Sequence, residues 1–140
     1  MILVDTNVWS ELTKRQSNPR VVAWLAANQA DLRLSALVIA EVRLGCELPR
    51  ARPIRPMLLA WLGGLEEAYA GRIEVFDERD AHVFGRLAAG RMSDGSLFDL
   101  QLAAQAIVRG MAIATRNVRD FAWTGVDVID PWSQAGLTHP

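Results

Sequence analysis

The stretch from Gly95 to Phe121, GSLFDLQLAAQAIVRGMAIATRNVRDF, sets a carboxylate where a helix should carry hydrocarbon. A helix over roughly residues 95–109 puts Gln101, Gln105 and Arg109 one turn apart in a single polar stripe, expected to be its wet face. Asp99 lies about 200° round the helix from Gln101, on the side of Leu102, Ala103 and Ala106. That is the dry side. A lone carboxylate against a core is neutralised or costs several kcal/mol, so the fold has to supply a cation, a metal ion or an open cleft beside it.

The same anomaly occurs twice more. The chain begins MILVDTN, which reads as a buried strand over residues 2–5 delivering Asp5 at its carboxyl end. The segment ALVIAEVRLGCEL, a helix over about residues 36–48, sets Glu41 in line with Leu37, Leu44 and Leu48 on the apolar side. Three acids from three distant segments thus face inward without Lys or Arg beside them. Hard oxygen donors of this kind suit Mg²⁺ or Mn²⁺, since Mg²⁺ takes one or two carboxylates and keeps several waters.

The rest of the chain alternates short strands with helices. Asn18-Pro19 opens a helix, residues 31–35 form a strand, and Ser35 caps the Glu41 helix. Pro49, Pro53 and Pro56 make a stiff basic connector with Arg50, Arg52 and Arg55, followed by a helix over about 57–70. A third strand spans 72–76, and Asp77 caps a helix over 78–90. The fourth strand covers 111–114 and the fifth 126–129. Thr6 or Asn7 is expected to cap the helix after the first strand, and Asn117 a single turn holding Asp120.

This order predicts an α/β fold, a three-layer α/β/α sandwich with a parallel five-stranded sheet, in a single domain over residues 1–140. Ligands of such sheets bind beyond the carboxyl ends of the strands. Asp5 ends the first strand, and Thr115-Arg116-Asn117 follows the fourth. An apolar share of 51% fills one core, and no apolar run approaches a membrane span. The amino terminus carries no leader pattern, so a cytoplasmic protein is expected.

A net charge of −1 gives no general attraction to nucleic acid, so RNA would need a local patch. Arg43, Arg50, Arg52 and Arg55 near Glu41, with Arg116 and Arg119 after the fourth strand, can supply one; Arg43 and Arg116 are the candidates for phosphate contact. Asp94 precedes a glycine and reads as turn chemistry. Asp77, Glu78 and Asp80 read as helix-entry charges, and Cys46 as a packed thiol. The tryptophans read as core. Asp120 stands between a solvated residue and a fourth acid of the site.

The segments ILVDTNVWSEL, SALVIAEVRLG, FDLQLAAQA, ATRNVRDF and VIDPW together resemble the PIN-domain ribonucleases, in particular VapC-type toxins of toxin–antitoxin pairs, including the FitB-like group. The resemblance runs in order over nearly the whole chain. It implies an Mg²⁺-dependent (or Mn²⁺-dependent) endoribonuclease that leaves a 5′-phosphate and a 3′-hydroxyl, is inhibited by a VapB-like antitoxin and is usually a homodimer. Its first three acids fall on Asp5, Glu41 and Asp99, with Asp5 and Asp99 the principal metal ligands and Thr115 the hydroxyl after the fourth strand. Many relatives carry an acid where this chain has Asn117; Asp120 can supply the fourth charge instead. Thr6, Asn7, Thr115 and Asn117 are the expected supports. The rival within the family is an inactive scaffold that only binds a partner. A phosphorelay receiver or a haloacid-type phosphatase is disfavoured, because Asn7 stands where the phosphatase needs an aspartate and no lysine lies near Ile129.

Overall fold

Side-chain alternation along the first strand creates the layers. Leu3 joins one hydrophobic core, while Ile2 and Val4 join another on the opposite face. The structure, a computed structural model, describes residues 1–91 and 97–133, and the backbone of residues 137–138. Its strands are β1 (Ile2–Val4), β2 (Leu32–Ser35), β3 (Ile73–Glu74), β4 (Ala112–Ala114), β5 (Val128–Ile129) and β6 (Leu137–Thr138). They form one sheet in the order β3-β2-β1-β4-β5-β6. The first five are mutually parallel, as the alternation of strands and helices predicts. Unanticipated is β6, a two-residue antiparallel addition to β5.

Helices cover both faces. On one side α1 (Thr6–Ser10), α2 (Pro19–Ala27), α3 (Ala36–Glu47) and α4 (Arg55–Ala68) bury Val8, Trp9, Val21, Leu25, Val38 and Leu65 against Val4, Leu32 and Leu34. Trp9 meets Tyr69 edge-on at 5.1 Å, and Trp24, Trp61 and Trp132 pack on the same core, in keeping with their reading as core residues. On the other side α5 (Glu78–Ala89), α6 (Leu97–Arg109) and α7 (Val118–Ala122) contribute Leu87, Leu102, Ala103, Ala106 and Phe121. Gly110, at φ 64°, ends α6 by donating to Ile107 O while the Met111 N–H donates to Ala106 O, and the chain turns directly into β4. No described helix is long and apolar enough to cross a membrane.

Several local expectations need correction. The 49–56 connector is a 3₁₀ turn over Pro49–Ile54, and α4 begins at Arg55, two residues earlier than predicted, with Pro56 in its first turn. Arg55 is no phosphate ligand in waiting: its guanidinium donates to the carbonyls of Cys46 and Leu48 and closes the open end of α3. Glu41 does not share a stripe with the core, since Leu44 is 55% exposed and α3 buries Val38 and Cys46 instead.

The largest correction concerns the stripe assigned to solvent. Gln105 is fully buried, and the Arg109 side chain is only 10% exposed. Arg109 donates to Asp80 Oδ1 at 2.6 Å, to Glu74 Oε2 at 3.0 Å and to the Val75 carbonyl at 2.9 Å. Asp80, expected as a surface charge at the helix entry, is fully buried, although it also completes the capping box with Asp77. Because α5 packs along α6, both sides of α6 are covered, and the polar side needs internal partners.

A candidate metal centre at the carboxyl ends of the strands

The passage from β1 to α1 takes no connecting residue beyond Asp5. Asp5 itself is the N-cap of α1, where Thr6 or Asn7 was expected; its Oδ1 accepts the Thr6 N–H at 2.7 Å. Its Oδ2 accepts the Thr115 hydroxyl at 2.8 Å and the Asn7 amide at 3.3 Å. Thr115, fully buried one residue past β4, receives the Asn117 N–H at 3.0 Å on its own Oγ1. The Asn7 side-chain oxygen accepts the Arg116 N–H at 3.2 Å. Two strand-to-helix turns are thereby joined across the sheet edge, and the Asp5 carboxylate is fixed in orientation.

Glu41 reaches the same place from α3, where its Oε1 accepts the Thr6 hydroxyl at 2.5 Å. Asp99 is half-buried in the first turn of α6, and Asp120 is exposed on α7. Burial pushes Asp5 up to about 6 against the lowering effect of the Thr115 and Thr6 hydrogen bonds, and the Glu41 and Asp120 charges add to the rise. Burial likewise pushes Asp99 up to about 7, assisted by the charges of Asp5, Asp120 and Glu41. The four acids therefore share one electrostatic field. Among the described residues no lysine or arginine forms an ion pair with any of them.

This donor set fits a hard divalent cation: oxygen atoms only, uncompensated, with two carboxyls driven towards their neutral forms unless positive charge arrives. As positioned, no three acidic, His or Cys side chains among the described residues are gathered tightly enough to enclose an ion by themselves. One or two direct carboxylates with water filling the remaining positions is the coordination Mg²⁺ prefers.

A pH dependence follows. The folded metal-free chain holds protons on Asp5 and Asp99 up to about 6 and about 7, whereas an unfolded aspartate releases its proton near pH ~3.9. Between those limits the native state binds more protons than the unfolded one, so stability falls as pH rises from about 4 through 7. Asp77, held down to about 2 by Arg79, titrates below this window and leaves it unaffected. In EDTA the melting temperature is expected to be lower at pH 8 than at pH 5.5, and saturating Mn²⁺ is expected to remove the difference. A flat or rising profile in EDTA would contradict the arrangement.

Beside Glu41 runs an apolar groove of about 470 Å³ between α1, α3 and α4, lined by Thr6, Glu41, Val42, Ile54, Leu58 and Trp61 among others. Arg116 stacks its guanidinium over Trp132 at 5.1 Å, beside the turn that holds Asn7. Arg43 is exposed on α3 and pairs with Glu47 at 3.3 Å, a contact weak enough to exchange for phosphate. Asp94 lies outside the described residues.

The model of the PIN domain matches residues 2–125. The chain belongs to the PIN-domain family. It is 36% identical to the VapC ribonuclease Y4jK of Sinorhizobium fredii, over 96% of this chain and 100% of that protein. It is also 36% identical to toxin FitB of Neisseria gonorrhoeae, over 94% of this chain and 99% of the other. Among solved structures, FitAcB from Neisseria gonorrhoeae superposes with a TM-score of 0.83 at 36% identity, covering 94% of this chain and 99% of that one. The DNA-bound VapBC of Salmonella typhimurium superposes at 0.75 over 93% of this chain and 97% of that one; at 20% identity it speaks for the PIN fold alone.

Sequence reasoning singled out Asp5, Glu41 and Asp99 as candidates and missed the polar seam of Ser35, Gln105, Arg109 and Asp80. A signal was present. Gln105 and Arg109 stand one turn apart, and Asp77 and Asp80 begin the helix just before, the composition of a buried helix–helix seam as well as of two wet faces.

Proposed function

We propose that this chain is a divalent-metal-dependent endoribonuclease toxin, active as a single domain over residues 1–140 in the cytoplasm and neutralised by an antitoxin of the VapB or FitA kind. The observation that carries this reading is that Asp5 and Glu41 meet at the Thr6 turn, with the Asp99 and Asp120 charges near enough to act on them and, among the described residues, no lysine or arginine paired to any of the four. Mg²⁺ or Mn²⁺ would be the ion, held principally by Asp5 and Asp99 with Glu41 and Asp120 contributing beside them. Relatives of similar length named as a VapC ribonuclease and as toxin FitB support the activity, and the FitAcB complex supports the partner. Homodimerisation is expected from the same kinship.

A divalent ion at this edge supplies an acidified water, its in-line orientation and compensation of charge on the phosphoryl oxygens. The residues do the rest. Thr115 and Asn7 prevent the Asp5 carboxylate from rotating, and Thr6 holds Glu41, so the oxygens are set before substrate arrives. Arg116 and Arg43 lie where RNA phosphates can be met by guanidinium groups. Hydrolysis adds water to phosphorus and breaks the P–O3′ bond, leaving a 5′-phosphate and a 3′-hydroxyl. A partner filling the groove beside Glu41 would cover Thr6 and Glu41 together, which would account for inhibition by occlusion.

Purified chain incubated with RNA is expected to cleave it, to stop in EDTA and to resume on addition of Mg²⁺ or Mn²⁺, with calorimetry registering uptake of the ion. Adding the antitoxin should suppress the same cleavage. EDTA-insensitive cutting would overturn the metal reading; absence of both cleavage and ion uptake would favour the inactive scaffold.

A further inference from the structure

Three of the central strands, β1, β4 and β2, release a buried polar residue at the same sheet edge, and only two of these residues are explained by the acidic centre. Asp5 follows β1 and Thr115 follows β4; the third, Ser35, ends β2 and is fully buried. Its Oγ accepts the Leu37 N–H at 3.1 Å, capping α3. The same hydroxyl donates to Gln105 Oε1 at 2.5 Å, and Gln105 Nε2 donates to the Glu74 carbonyl at 3.2 Å. Gln105 is itself fully buried in α6. One hydrogen bond thus joins the first turn of the Glu41 helix to the middle of the Asp99 helix.

We propose that Gln105, acting through Ser35, is a positioning residue that sets the separation of Glu41 and Asp99 and thereby the affinity of the centre for its divalent ion. This rests on the metal-dependent reading above. Glu41 lies six residues beyond Ser35, and Asp99 six residues before Gln105, about 9 Å along each helix axis. A tilt of roughly 10° about the joint would carry a carboxylate about 1.5 Å, far beyond the ~0.2 Å within which metal–ligand distances are held. Two apolar side chains of the same volume would fill the seam equally well but slide; a short directional contact between two satisfied polar groups does not. Arg109, one turn further along α6, holds that helix to Asp80 and Glu74, so rotation is resisted at both points.

The test uses the full chain, stripped of metal, with Gln105→Met, Ser35→Ala, the double variant and Ser35→Thr. Mn²⁺ uptake is measured by calorimetry, cleavage as a function of Mn²⁺, and stability by thermal melting. Gln105→Met and Ser35→Ala are each expected to raise the Mn²⁺ dissociation constant roughly 5- to 20-fold, with most of the cleavage rate recovered at saturating Mn²⁺. The double variant should be no worse than the weaker single, and Ser35→Thr should stay near wild type because it keeps the hydroxyl. Val126→Ala, in the core at the other end of the sheet, supplies a destabilised control expected to leave Mn²⁺ affinity unchanged. A folded Gln105→Met that binds Mn²⁺ within about twofold of wild type overturns the proposal, as does an equal loss in the control at equal melting temperature. Should Gln105→Met not fold, the contrast between Ser35→Ala and Ser35→Thr decides on the same criterion. Failure of the wild type to take up Mn²⁺ would sink the nuclease reading and this one with it, whereas normal wild-type uptake with unaffected variants would sink this one alone.

Discussion

Asp5→Asn is expected to lower RNA cleavage by at least about 100-fold while leaving the metal-free protein more stable than the wild type. The amide keeps an oxygen to accept the Thr6 N–H and remains a good helix cap, so α1 survives. It also removes a buried charge that burial and neighbouring acids already push up to about 6. Its NH₂ group meets Thr115 and Asn7 less favourably than the carboxylate oxygen did, which offsets part of the gain. A net gain of about 1–2 kcal/mol corresponds to a melting temperature roughly 2–8 °C higher at pH 7.5 in EDTA. Activity and stability moving in opposite directions is the signature. If cleavage persists at the wild-type rate, Asp5 holds no ion; if activity and melting temperature fall together, the carboxylate is only a helix cap.

Arg109→Met carries the largest expected cost in stability, about 3–5 kcal/mol, because it strands the fully buried Asp80 without its cation. Against a total of about 5–15 kcal/mol for a domain, that leaves a chain close to unfolding. Arg109→Lys should rescue little, since a single ammonium cannot meet Asp80, Glu74 and the Val75 carbonyl together. Adding Asp80→Asn to Arg109→Met should recover part of the loss by removing the orphaned charge. Urea unfolding measures all three; a loss below about 1 kcal/mol for Arg109→Met would mean that Asp80 finds water instead.

The unusual placement of the acids was legible in the sequence for a physical reason. A charge on an apolar run violates a strong rule, and Asp5 and Asp99 violate it; Glu41 was singled out by the same rule although the stripe that pointed to it is not the buried side of α3. The five parallel strands were legible because MILV, LRLS and MAIA are short, apolar and bounded by caps and turns. What failed was the assignment of sides. Helical periodicity separates two stripes but does not say which neighbour covers each, so Gln105 and Arg109, covered by α5 and the ends of β2 and β3, read as solvent-facing. Leu44 failed in the opposite direction, apolar yet 55% exposed. The N-cap failed by one position because Asp5 performs two tasks, and a sequence pattern tends to assign a residue one.

That double duty has a consequence for how the toxin comes into being. The Asp5 oxygens proposed to face the ion are the ones that start α1 and tie β1 to β4, so completing this part of the fold and setting that carboxylate are a single event. Asp5, Asn7 and Thr115 are already hydrogen-bonded to one another in the folded chain. Under the proposed nuclease reading, restraint would then have to come from a second molecule.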